Sequence, residues 1–85
     1  MVVEDNRNAD SAARAWLRRV GERVRLQRLN AELTQEQLGA AAGVSPEFVG
    51  LIEMGGDASA FKLWRLADTL QVPLVRLLTD EAGDR

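Results

Sequence analysis

With 85 residues the chain has room for one domain and one modest hydrophobic core, and too little for a core plus an enzyme cleft of ordinary size. Cysteine and histidine are both absent, which excludes disulfides, thiolate nucleophiles and the usual zinc sites and removes the commonest general base, so no catalytic residue, metal or cofactor is expected. A net charge of -2 is awkward for a nucleic-acid binder, so the distribution of charge matters more than its sum.

That distribution is uneven. Arg7, Arg14, Arg18, Arg19, Arg23, Arg25 and Arg28 face only Asp10 and Glu22, whereas Leu29 to Asp57 carries Glu32, Glu36, Glu47, Glu53 and Asp57 with no cation. Abundant Ala, Leu, Arg and Glu, with few β-branched or aromatic residues, predict an all-α fold.

Residues 1–10 are polar and unpatterned and read as a mobile arm. They lack the basic-then-apolar order of a signal peptide, and no apolar run approaches the roughly 20 residues that span a bilayer, so a cytoplasmic protein with no membrane partner is expected. Asp10 or Ser11 is positioned to cap a first helix from Ala12 to about Leu29, whose Ala13, Trp16, Leu17, Val20 and Val24 recur at helical steps.

Thr34-Gln35-Glu36-Gln37 is a capping box that opens a second helix, with Leu38, Ala41 and Ala42 on its buried side. Gly43 stops it, and Ser45-Pro46 supplies an N-cap and a first-turn proline for a third helix running to about Met54. Gly55-Gly56 closes that helix. Asp57 or Ser59 caps a fourth, patterned by Leu63, Leu66, Ala67 and Leu70, and Pro73 precedes a short fifth helix holding Leu74, Leu77 and Leu78. Residues 11–79 thus form one compact five-helix domain, and residues 80–85 a polar tail.

Two short helices joined by Gly43-Val44-Ser45 make a helix-turn-helix. From here the chain resembles a known family: VGERVRLQRLNAELTQEQLGAAAGVSPEFVGLIEMGG, continued by LWRLADTLQVPLVRLL, is similar to the lambda-repressor-like domain of phage repressors, restriction-modification controller proteins and many antitoxins. The resemblance spans roughly residues 14–79. It implies a transcriptional regulator of the Cro/repressor, XRE type that binds double-stranded DNA as a homodimer, with helix three in the major groove of a pseudo-palindromic operator.

Carried over by position, the resemblance implies DNA-binding roles for Thr34, Gln35, Ser45, Pro46, Glu47, Gly50, Leu51 and Met54. Pro46, Glu47 and Leu51 would face bases, Gln35 would sit beside a phosphate and buttress the reading helix, and Gly50 would leave room for close approach. Thr34 and Ser45 are helix caps in either case. Where the family commonly grips phosphate with a cation or an amide, this chain has Met54 and Gly56. The resemblance also implies a structural ion pair between Arg28 and Glu53.

Trp16 and Trp64 lie on helical apolar stripes and read as core or interface residues rather than stacking platforms. Leu74, Val75, Leu77 and Leu78 are expected either to form the dimer interface or to pack on helix one of the same chain. An alternative function is a protein-interaction module of the same fold that has lost DNA binding, docking a partner through Phe48, Phe61 and Trp64.

Overall fold

The computed structural model describes residues 7–80. Five helices follow one another: α1 Arg7–Asn30, α2 Gln35–Ala42, α3 Pro46–Glu53, α4 Ala60–Leu70 and α5 Leu74–Leu78, with no strand among the described residues. The all-α expectation holds, element by element.

The start of α1 is a correction. Asp10 and Ser11 lie inside the helix rather than capping it, and Arg7 to Asp10, read as part of the arm, are helical. Elongating a helix that packing has already nucleated costs little, and the alanine-rich run that follows carries no breaker. Asp10, in the first turn, also complements the positive end of the helix dipole. Residues 1–6 of the expected arm and 81–85 of the expected tail lie outside the described residues.

Val20 and Val24 of α1, Leu38 and Ala42 of α2, Val49 and Ile52 of α3, Leu63, Leu66 and Ala67 of α4, and Leu77 of α5 form one core. Ala41, expected to be buried, is exposed, and Gly39 takes its place on the inner side of α2. The reason is close approach: a Cβ on Gly39 would stand 2.7 Å from the Val44 carbonyl oxygen of the turn. Gly21 plays the same part on α1, since a Cβ there would collide with the carbonyl oxygen of Ile52. It lets the backbones of α1 and α3 touch.

The fifth helix belongs to this core. Leu77 is fully buried, Leu74 and Leu78 pack against the cluster, and of the apolar residues of α5 only Val75 is exposed. Side chains of α1 satisfy the orphan carbonyls at its end: Trp16 donates its indole N–H to the Leu78 oxygen at 2.9 Å, and Arg23 donates to the Leu77 oxygen at 3.3 Å. Arg23 also pairs with Asp80, so the first residue of the expected tail is tied down. Of the two expectations for α5, packing on helix one describes Leu74, Leu77 and Leu78.

Arg28 joins α1 to α3. Its Nε donates to Glu53 Oε2 at 2.6 Å, its Nη2 to Glu53 Oε1 at 3.0 Å, and its Nη1 to the Leu33 carbonyl oxygen at 2.8 Å. The two side chains are only 10% and 4% exposed. Hydrogen bonding to Glu53 raises the Arg28 pKa above its ordinary value, against the opposing cost of burial. The guanidinium is therefore charged at every pH below the arginine range, and its contribution is lost only as pH rises through the raised value.

Two outcomes follow for stability. Arg28→Ala should cost about 3–5 kcal/mol, because it leaves a buried carboxylate without its cation. Equilibrium unfolding of Arg28→Ala, Glu53→Ala and the double variant checks this; additive losses would show that the pair is not coupled. Gly21→Ala should destabilise by about 1–3 kcal/mol through overpacking, despite alanine's advantage of about 1 kcal/mol in helix propensity. A urea midpoint that rises in this variant would show that the two backbones have room to part.

Candidate nucleic-acid interface

The surface that presents α3 is built from caps. Thr34 Oγ1 accepts from the Gln37 backbone N–H at 3.0 Å while the Thr34 N–H donates to Gln37 Oε1 at 2.8 Å, so both halves of the capping box form. Gly43 ends α2 with φ 75, in the left-handed region that favours glycine, and the Val44 N–H returns to the Gly39 carbonyl at 2.9 Å. Arg65, from α4, donates to the Ala42 carbonyl at 3.1 Å and so places a cation at the negative end of the α2 dipole. Ser45 Oγ then accepts from the Phe48 N–H at 3.0 Å, with Pro46 next to it in the first turn of α3.

On α3 the buried residues are Val49 and Ile52, which turns Glu47, Leu51 and Met54 outward in one stripe at four- and three-residue steps. Leu51 is 59% and Met54 80% exposed. The acidic member of the stripe is Glu47. Pro46 and Gly50 are half-buried beside it, on the flank that faces α2.

Gln35 lies on that flank. Its Nε2 donates to Glu53 Oε1 at 3.1 Å, which extends the Arg28–Glu53 pair to α2 and braces α3 from a third helix. The expected buttress is thus present, with Glu53 as the group it holds. Gly50 also meets Gln35: a Cβ added there would stand 3.4 Å from Gln35 Oε1, an ordinary contact. The protein itself leaves room for a methyl group at this position.

The eight expected site residues therefore fall into two sets. Glu47, Leu51 and Met54 share the exposed stripe with Gly50 and Gln35 at its edge, while Thr34, Ser45 and Pro46 form the N-terminal turns of α2 and α3. Phe48, expected to be exposed, is half-buried against the core, and the Lys62 ammonium lies 4.7 Å from its ring centroid. Phe61 and Trp64 are exposed, so Trp64, read as a core or interface residue, is not part of the core; the Arg65 guanidinium lies 4.9 Å from the Phe61 ring. Trp16 is a clasp between α1 and α5.

Sequence reasoning overlooked Lys62 and Arg65. The available signal was their isolation, since they are the only cations between Leu29 and Val75. The arginines of α1 are less available than their number suggests, because Arg23 and Arg28 are engaged within the fold.

Comparison with known proteins agrees with this geometry. The family model described as helix-turn-helix matches residues 24–77. A crystal structure of the restriction-modification controller protein C.AhdI from Aeromonas hydrophila is similar at 31% identity and a TM-score of 0.72, covering 74% of this chain and 97% of that one. No curated protein matches at a significant level. With α2, the Gly43 turn and α3 in place and the match running through all five helices, the chain belongs to the helix-turn-helix family, in its lambda-repressor-like, XRE-type form.

Proposed function

We propose that this chain is a cytoplasmic DNA-binding transcriptional regulator that lays α3 in the major groove of a pseudo-palindromic operator and acts as a homodimer. The observation that carries this reading is the exposed stripe Glu47, Leu51 and Met54 on a helix braced from α1 and α2 through Glu53. Likeness to a restriction-modification controller protein supports the regulatory part. The dimer is argued from size, since one recognition helix covers a half-site.

Each site residue then has a chemical role. Glu47 accepts from a cytosine N4 amine, and Leu51 meets a thymine methyl group. Thr34 and Ser45 spend hydroxyl lone pairs on helix N–H groups but keep a proton to donate to phosphate, and Gln35 keeps the second hydrogen of its amide. Pro46 and Met54 make apolar contacts at the two ends of the stripe, and Gly50 admits the sugar-phosphate edge.

The exposure of Phe61 and Trp64 favours a second reading, in which they dock a protein partner. Phe48 contributes little to such a patch, because it packs inward under Lys62.

Glu47→Gln separates the two. Under the DNA reading it strengthens binding to random duplex, by removing a carboxylate from beside phosphates, and weakens discrimination at one base pair by about 1–3 kcal/mol. Fluorescence anisotropy against the upstream region of the gene and against scrambled duplex reads both effects. Wild type with no sequence preference and no binding at physiological salt would instead favour docking, and Phe61→Ala or Trp64→Ala should then abolish capture of the partner.

Gly50→Ala supplies an independent check. The free protein should gain up to about 1 kcal/mol from helix propensity, because the nearest neighbour of the new methyl group is 3.4 Å away. DNA affinity should fall in the same variant. Affinity that stays at the wild-type value would show that the duplex does not approach this face of α3.

A further inference from the structure

The reading helix presents a carboxylate and two apolar side chains to a polyanion, and phosphate neutralisation dominates the affinity of such complexes. The missing charge must come from elsewhere in the fold. Arg28 is buried against Glu53, and Arg65 is bound to the Ala42 carbonyl and lies beside the Phe61 ring. Lys62 is exposed and makes no ion pair with a described residue; the same holds for the α1 arginines Arg14, Arg18, Arg19 and Arg25, but of these five cations it is Lys62 whose charged group lies against a ring of α3.

Its position follows from helix geometry. At about 100° per residue, Glu47, Leu51 and Met54 define the outward stripe of α3, with Gly50 and Pro46 to one side and Phe48 about a quarter turn to the other. Gln35 packs on the Gly50 side. Lys62 lies over Phe48, on the opposite flank, with its ammonium 4.7 Å from the ring centroid. A helix seated in a groove about 12 Å wide has a phosphodiester strand along each flank. One flank therefore offers a neutral amide and the other an ammonium.

We propose that Lys62 is a phosphate-binding residue, held by the ring of Phe48 beside α3, and that it supplies charge to the DNA interface that the helix-turn-helix itself lacks. This rests on the DNA reading above. The backbone at its root is fixed, because the Lys62 N–H donates to Ser59 Oγ at 3.2 Å in the cap of α4. A ring face attracts an ammonium without neutralising it, so the cation is restrained yet keeps its charge and its hydrogens for a phosphate oxygen. Phe48 acts through Lys62 and is a positioning residue.

The test is a salt series of binding to random-sequence duplex DNA, using the whole chain with Lys62→Gln, Lys62→Arg, Phe48→Leu and Phe48→Tyr. Lys62→Gln should make the slope of log K against log salt shallower by about 0.9, the loss of one neutralised phosphate, and Lys62→Arg should keep the wild-type slope. Phe48→Leu should weaken binding about twofold to fivefold at nearly unchanged slope, with Phe48→Tyr restoring it, because only the tyrosine keeps an aromatic face. A Lys62→Gln variant with the wild-type slope and affinity overturns the inference and leaves the DNA reading standing. Wild type that fails to bind duplex even at low salt overturns both.

Discussion

The ion pair between Arg28 and Glu53 joins the last turn of the longest helix to the last turn of the helix that carries the exposed stripe, and Gln35 brings α2 into the same arrangement. Helices of eight residues, the length of both α2 and α3, are unstable alone in water, so their orientation has to come from tertiary contacts. Apolar packing of Val49 and Ile52 sets the depth of α3 but tolerates rotation and sliding. Bidentate hydrogen bonding at 2.6 and 3.0 Å tolerates neither, because the guanidinium fork and the carboxylate must stay coplanar. The pair offsets its own desolvation cost rather than adding much to stability, and its value lies in a single pose for α3.

Much of this was legible in the residues. Thr34 with Gln37, Gly43, Ser45 with Pro46, and Ser59 are local signals whose chemistry works within three or four residues, and each caps a helix where expected. What escaped depends on neighbours distant in sequence. Phe48 looks exposed on a short helix until α4 places Lys62 over it, and Ala41 looks buried until the close approach at Gly39 rotates α2. Glu32 and Gln71 both stand at φ 62, ending α1 and α4 in a conformation usually left to glycine, so no residue type announced those stops. The resemblance to the lambda-repressor-like family supplied the Arg28–Glu53 pair, which spacing alone would not have identified.

Charge is segregated by layer. The carboxylates Glu36 and Glu47 face outward from the helix-turn-helix, while the cations that flank it belong to α1 and α4. Such a surface repels a polyanion at its centre and attracts it at its margins.

The clasp between α1 and α5 has a kinetic consequence. Trp16 and Leu78 are 62 residues apart, so their hydrogen bond closes nearly the whole described chain into one loop, whereas the packing of α2 on α3 joins near neighbours. Closing a flexible loop of that span directly carries a larger entropic cost than any of the other hydrogen bonds, and docking of the intervening helices lowers it. A closure of that span predicts that the clasp forms late in folding and opens early in unfolding. Strengthening it would lengthen the lifetime of the native state while leaving the rate of folding almost unchanged.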